Sequence, residues 1–324
     1  MSDILQGEGL VGLTEVEAAA RRLAGVAVRT PLLPADVVSE IARANVRLKC
    51  ESLQRAGSFK IRGAYNFVSQ LSDEQVASGI ITYSSGNHAQ AVALSGKLRG
   101  VRAVVVMPTT APKVKRDGAE RLGAEVIYEG TTSLERRAKA EEIAEEQGLV
   151  IVPPFDHRHI IAGQGTVGLE IAREWPDVDL VLAPIGGGGL ASGVAASIKR
   201  LLPAARVIGV EPEGAASMRK ALDEERPVVI KKIDTIADGL APVIAGELTY
   251  EHAFSLMDDV VTVSDDAIRE ATSLLVSKQK LIVEFSGAAA TAALLSKAVE
   301  AEDQRVAVVI SGGNLDPTLL AGMA

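Results

Sequence analysis

Short, nearly continuous apolar runs alternate along the chain with longer stretches of helical periodicity. The runs predict strands at Val46–Cys50, Gly79–Tyr83, Ala103–Met107, Glu125–Tyr128, Leu180–Ala183, Val207–Val210, Val260–Val263 and Val306–Ile310. Helices are predicted at Thr14–Leu23, His88–Leu98, Pro112–Leu122, Ser133–Gln147, Gly189–Leu201, Asp265–Ser277 and Ala288–Val299. Pro112 suits a first helical turn, and Gly100, Gly123 and Gly148 stand where helices should stop. Strands as apolar as Val104-Val105-Val106 imply sheets covered on both faces. The pattern is that of an α/β chain with mostly parallel sheets. Ser133–Gln147 is heavily charged, yet Ala140, Ile143 and Ala144 give it an apolar edge; it reads as a solvated helix face.

Composition narrows this picture. A chain of 324 residues, 47% hydrophobic and 23% charged, is long enough for two lobes. The Val152-Pro153-Pro154-Phe155 stretch is the expected connection between them. The formal net charge of −8 and the lack of a basic stripe argue against a nucleic-acid partner. The single cysteine, Cys50, lies in a predicted strand and is expected to be buried, which fits a reducing compartment. The opening Met1-Ser2-Asp3-Ile4 does not read as a signal peptide, and no run is long enough to span a bilayer. The expectation is a soluble, cytoplasmic protein.

Candidate chemistry centres on Lys60, in Gly57-Ser58-Phe59-Lys60-Ile61-Arg62-Gly63. A lysine in semi-apolar surroundings can lose its proton and act as an amine nucleophile, binding an aldehyde cofactor as a Schiff base. Gly186-Gly187-Gly188-Gly189 follows a strand and opens a helix. Such a run lets backbone approach a phosphate, with helix N–H groups as donors. Gly186, Gly188 and Ala191 also match a dinucleotide fingerprint, with Glu211 where a ribose-binding acid would stand. That reading gives a nicotinamide enzyme but leaves Lys60 without a role.

Two further loops stand at strand ends. Ser84-Ser85-Gly86-Asn87-His88 either receives a carboxylate or simply caps a helix. Ser311-Gly312-Gly313-Asn314 follows the last strand, and ligands of open parallel sheets gather at such ends. His157 and His159 lack a third metal ligand nearby in sequence and read as loop or surface residues. His252 is expected to be structural, and His88 to position its loop. No G-x-S-x-G hydrolase motif is present.

With these motifs in this order, the sequence resembles the fold-type II enzymes of pyridoxal phosphate (PLP), and among them the threonine/serine dehydratase and serine racemase group. The likeness runs from about Thr14 to Leu320 and includes Ala162-Gly163-Gln164-Gly165-Thr166 and Ala237-Asp238-Gly239. It implies two open, mostly parallel twisted sheets flanked by helices, as in the tryptophan synthase β subunit. It also implies a large PLP-binding domain (residues 1–78 and 154–324) and a small domain (79–153) that closes over the substrate.

By the same resemblance, Lys60 binds the cofactor and then acts as the base at Cα. Phe59 packs on the pyridine ring, Asn87 bonds its hydroxyl, and Gly186 to Gly189 with Leu190 hold the phosphate. Ser311 contacts the ring nitrogen, and Ser84, Ser85, Gly86, Asn87 and His88 take the substrate carboxylate. A hydroxyl at the ring nitrogen makes a weaker electron sink than a carboxylate would, which suits prompt loss of a β-hydroxyl.

The implied reaction is dehydration and deamination of L-threonine or L-serine to a 2-oxo acid and ammonia. Serine racemase and 3-hydroxyaspartate dehydratase are variants on the same scaffold. An NAD-dependent oxidoreductase and a non-catalytic ligand-binding relative are the readings from other classes. Ser85 stands where racemases of the group carry a serine facing the far side of Cα. A second substrate carboxylate would pair with His159, Arg137 or Arg158. Glu211 and the Ala215 carbonyl resemble part of a Mg²⁺ or Ca²⁺ site, with Ser217 where an aspartate is usual. Glu284-Phe285-Ser286-Gly287 departs from the pattern in having phenylalanine for proline. A homodimer, and a short form without a C-terminal regulatory domain, are expected from the family pattern.

Overall fold

The apolar runs form two sheets in the computed structural model, which describes residues 9–322 except 85 and 112. The larger sheet contains β1 (Leu32–Pro34), β2 (Asn45–Cys50), β7 (Leu180–Pro184), β8 (Arg206–Pro212), β9 (Asp259–Val263) and β10 (Arg305–Ile310). Its order is β1-β2-β10-β7-β8-β9, parallel except for the antiparallel edge pair β1–β2. The smaller sheet contains β3 (Ile80–Tyr83), β4 (Ala103–Met107), β5 (Glu125–Tyr128) and β6 (Val150–Ile151), in the order β5-β4-β3-β6, all parallel.

Thirteen α-helices surround the sheets among the described residues. They are α1 (Leu13–Leu23), α2 (Asp36–Ala42), α3 (Lys60–Val68), α4 (Asp73–Ser78), α5 (Asn87–Arg99), α6 (Lys113–Arg121) and α7 (Ser133–Gln147). The rest are α8 (Arg158–Glu174), α9 (Gly189–Leu201), α10 (Ser217–Asp223), α11 (Glu247–Leu256), α12 (Asp265–Ser277) and α13 (Phe285–Leu295).

The strands are apolar throughout because both faces of the larger sheet are covered. Val46, Leu48, Leu180, Leu182, Val306 and Val308 pack into one buried layer. Their neighbours Val181, Ala183, Ala307 and Val309 pack into the layer on the opposite face. Gly100 and Gly148 end α5 and α7 in the left-handed conformation, where a side chain would cost free energy.

Several elements differ from the sequence expectation. The predicted helix 288–299 is shifted to Phe285–Leu295, and Lys297, with φ of 59°, has already left the helix. The 17-residue α8 was not predicted, because three glycines interrupt its helical pattern. They permit close packing instead: a Cβ at Gly168 would lie 2.8 Å from the Val194 carbonyl of α9, and one at Gly165 would lie 3.0 Å from the Gly193 carbonyl. The short strands β1 and β6 were also missed. Pro112 lies outside the described residues, and α6 begins at Lys113.

A buried ionic network fixes the helix that begins at Lys60. Arg62 is 1% exposed and donates to Glu51 on both oxygens at 2.8 Å and to Glu170 at 2.7 and 2.9 Å. Lys49 donates to Glu170 at 2.6 Å. Burial opposes the charge on Glu51, but Arg62 outweighs it and holds the carboxyl below its usual range. The network ties α3 to the end of β2 and to α8. Removing one partner of such a buried cluster typically costs about 3–5 kcal/mol.

Candidate active site

Strands β2 and β10 run parallel with Cys50 opposite Ile310, so their following loops leave the sheet side by side. The two loops are stitched together. Ser58 forms an antiparallel bridge with Gly312, and the Phe59 N–H donates to the Ser311 carbonyl at 3.1 Å. Asn314 Nδ2 donates to the Ala56 carbonyl and to Asn87 Oδ1, each at 2.9 Å. Gly57, at φ of 72°, makes room for the Asn314 side chain. This framework presents Lys60 as the first residue of α3.

Lys60 Nζ donates to the Pro154 carbonyl at 2.8 Å and lies 5.3 Å from the Phe59 ring centroid. Burial pushes its amine down to about 8, against the opposing charge of Glu284. At neutral pH a usable fraction of such an amine is therefore unprotonated.

One cavity is lined by Phe59, Lys60, Ser84, Gly86, Asn87, His88, Gly186, Gly187, Gly188, Gly189, Leu190 and Ser311. These are the predicted cofactor and carboxylate residues, except Ser85, which lies outside the described residues. The glycine run has a local cause beyond phosphate access. A side chain at 187 would collide with the Phe155 ring, and one at 188 would lie 2.7 Å from Thr249 Cβ in a backbone of φ 95°. The first N–H groups of α9 have no partner within the helix by geometry. They open on a cavity that also contains a lysine amine, and these residues fit a phosphate-bearing aldehyde.

The same cavity is lined by residues that the sequence reading did not single out: Lys115, Arg136, Pro242 and Val243. Phe155, Asp238 and Glu284, noted then only as parts of segments, line it too. Lys115 is 4% exposed and donates to Asp238, with Glu284 Oε2 at 3.5 Å. Burial works against its charge, but Glu284 and Asp238 outweigh that and raise its pKa. Glu284 is itself raised, mainly by burial, and accepts from Asn87 Nδ2. The Asn87 amide is thus held between Glu284 and Asn314. Arg136 is 8% exposed, donates to the Thr131 carbonyl at 3.2 Å, and has no acidic side chain in ion-pair distance among the described residues. The first turn of α7, taken from sequence as part of a solvated face, lines the cavity through Ser133, Leu134, Arg136 and Arg137.

His88 is buried, and Nε2 lies 3.2 Å from the Val152 carbonyl; Thr82 Oγ1 donates to the same oxygen at 2.8 Å. Burial, with the Lys60 charge, pushes the His88 imidazole down to about 3. It therefore stays neutral and braces the segment that carries Pro154.

Other candidates lie elsewhere. His157 caps α8, and its ring packs against Phe67 and His159. Arg158 pairs with Glu15 at 2.8 Å, and His252 is buried between Val11 and Leu248. Of the three residues expected to meet a second carboxylate, Arg137 alone lines the cavity, and Glu141 holds it at 2.7 Å.

Glu211 is not among the cavity residues. Its two oxygens accept the backbone N–H groups of Met218 and Arg219, each at 2.8 Å, and burial pushes it up to about 7. This geometry lends the metal expectation no support. With Ser217 in place of an acid, Glu211 and the Ala215 carbonyl offer a single carboxyl, whose oxygens already accept two amides, a donor set poor for Mg²⁺ or Ca²⁺. Among the described residues no group of three or more His, Cys, Asp or Glu could hold a metal ion. The ribose-binding role of Glu211 falls with the same geometry.

The fold and site define an α/β enzyme whose cavity brings together a lysine amine and a glycine-rich helix start. The chain belongs to the pyridoxal-phosphate dependent enzyme family, which matches residues 23–312. The fingerprint reading as a nicotinamide enzyme is thereby overturned. The chain is 42% identical over 311 residues to an L-threonine ammonia-lyase of Thermotoga maritima, covering 96% of this chain and 77% of that protein. It is 41% identical over 323 residues to a catabolic L-threonine dehydratase of Staphylococcus aureus, covering 98% and 93%. Among solved structures, maize serine racemase superposes with a TM-score of 0.93 at 36% identity, covering 96% of each chain. The processed threonine deaminase isoform 2 of Solanum lycopersicum gives 0.89 at 40% identity, covering 96% of this chain and 86% of that one. No helix among the described residues is long and apolar enough to cross a membrane.

Proposed function

We propose that this protein is a PLP-dependent ammonia-lyase that converts L-threonine or L-serine to a 2-oxo acid and ammonia. The observation that carries the reading is the convergence of Lys60, the Gly186–Gly189 run and Ser311 on one cavity, in a chain 42% identical to an L-threonine ammonia-lyase. The bound cofactor supplies an electron sink for charge developing at the substrate Cα. Lys60 accepts the Cα proton, a role supported by an amine brought to about 8 by burial. Ser311 presents a hydroxyl, which does not favour a protonated ring as a carboxylate would.

The Ser84–His88 loop, with Ser84, Gly86, Asn87 and His88 lining the cavity, provides donors for the substrate carboxylate, and Arg136 adds a cation without an acidic partner. Phe155, Pro242 and Val243 make an apolar wall suited to a small Cβ substituent such as a methyl group. The reading includes a small domain, residues 79–153, that closes over the substrate, and a cytoplasmic homodimer. Racemisation is a second reaction on the same site, supported by Ser85 and by the likeness to a serine racemase structure.

The test is a panel assay for 2-oxo acid release from threonine, serine and both diastereomers of 3-hydroxyaspartate. Release from threonine and serine is expected to exceed that from the dicarboxylates by at least an order of magnitude. Purified protein should be yellow, and borohydride should bleach it and fix the cofactor mass on Lys60. Colourless protein that PLP cannot reconstitute would sink the reading.

A further inference from the structure

The segment Pro154-Phe155-Asp156 touches the site three times. The Pro154 carbonyl accepts Lys60 Nζ at 2.8 Å. The Phe155 ring fills the space over Gly187, and its backbone lies 3.1 Å from where a Cβ of Gly189 would stand. Asp156 reaches the other way, to the start of α11. Its Oδ2 accepts the Glu247 N–H at 3.0 Å and its Oδ1 the Thr249 N–H at 3.1 Å. Gly246 must be glycine there, since a Cβ would strike the Asp156 carboxyl.

From that turn the connection returns to the cradle. Thr249 is fully buried, and its Oγ1 donates to the Gly187 carbonyl at 2.7 Å. Its methyl-bearing Cβ packs against Gly188, and its own carbonyl accepts Ser192 Oγ of α9 at 3.3 Å. The helix start has N–H groups with no partner inside the helix and favours negative charge, so a single carboxylate can hold both donors.

We propose that Asp156 is the positioning residue of the phosphate cradle: acting through the first turn of α11 and the Thr249 hydroxyl, it sets Gly187 and Gly188 in place opposite Lys60. The proposal rests on the cofactor reading above but not on the identity of the substrate. It makes the connection between the sheets an adjustable support, with one end on the nucleophile and the other on the anion site.

The test compares two aldehydes on apoprotein: PLP, and pyridoxal, which lacks the phosphate. Asp156→Ala is expected to weaken PLP binding about tenfold, the effect of losing a charged hydrogen-bond acceptor. Pyridoxal binding should stay within about twofold, and competition by inorganic phosphate should weaken in parallel with PLP. Thr249→Val should reproduce the effect, Thr249→Ser should restore it, and the double variant should lose less than the sum of the two. Equal loss of PLP and pyridoxal, or PLP affinity unchanged in folded Asp156→Ala, overturns the proposal. If Asp156→Ala does not fold, the Thr249→Val and Thr249→Ser pair decides it by the same comparison. Wild-type protein that fails to bind PLP would instead contradict the cofactor reading itself.

Discussion

Lys115 of α6, which flanks the smaller sheet, pairs with Asp238, 123 residues later and beyond the end of β8 in the larger one. The lysine is buried, and Glu284 lies on its other side at 3.5 Å. Lys115→Met would leave a buried carboxyl at Glu284 without its cation. The expected result is a loss of about 3 kcal/mol in denaturant unfolding. Combining it with Glu284→Gln should recover part of that loss. A Lys115→Met protein as stable as wild type would show that the pair holds nothing together.

The Lys60 amine governs how quickly apoprotein can take up its aldehyde. Only the neutral amine attacks, and burial has lowered its pKa from 10.5 to about 8. The rate of PLP uptake, followed by absorbance, should therefore rise with pH with a midpoint near 8. The folded state binds the proton less tightly than the unfolded chain, so this group's contribution to apoprotein stability is lost as pH falls through about 8 and is complete above 10.5. Lys60→Ala should abolish 2-oxo acid release and the uptake signal together.

Glu211 makes the opposite contribution. Its carboxyl is raised from 4.5 to about 7, so its stabilisation is full below 4.5 and is lost as pH rises through 7. Glu211→Gln should flatten the fall in melting temperature between pH 5 and 7, while an amide oxygen still accepts one backbone N–H. Chelation with EDTA should leave 2-oxo acid release within about twofold, because the donor set is too poor in carboxylates for Mg²⁺ or Ca²⁺. A larger loss, restored by either ion, would contradict this.

On the proposed reading, Ser85 serves racemisation and not elimination. Ser85→Ala should lose D-serine formation from L-serine while keeping 2-oxo acid release. Chiral chromatography of the product checks it, and unchanged D-serine would remove Ser85 from that role.

The strands were legible because sheets covered on both faces demand uninterrupted apolar runs, and Val104 to Val106 could be little else. The glycine run and Ser311 could be read as cavity residues because each sits in a loop directly after a strand, and Lys60 because of its compact Ser58-Phe59-Lys60 motif. Lys115, Asp238 and Glu284 were not seen as a group, since their meaning lies in partners far apart in sequence and each is an ordinary charged residue locally. Arg136 was hidden by the charged stretch around it. Helix α8 was missed, because Gly163, Gly165 and Gly168 break its helical pattern and find their reason only when α3 and α9 are packed against them. Phe155 was read only as part of the connection between lobes, although it explains why position 187 is glycine.

The placement of β10 has a consequence for synthesis on the ribosome. It is the last of the ten strands in chain order, yet it lies between β2 and β7 in the middle of the larger sheet. Until residues near 310 emerge, β2 and β7 have no strand to join them, and the loop bearing Lys60 lacks the Ser58–Gly312 bridge. Once β7 has emerged, nascent chains must keep two apolar strand edges apart until β10 follows, a state open to wrong pairing. The cavity around Lys60 is thus completed in one late step, and on the proposed reading a polypeptide released before that strand has emerged would have no place to hold PLP.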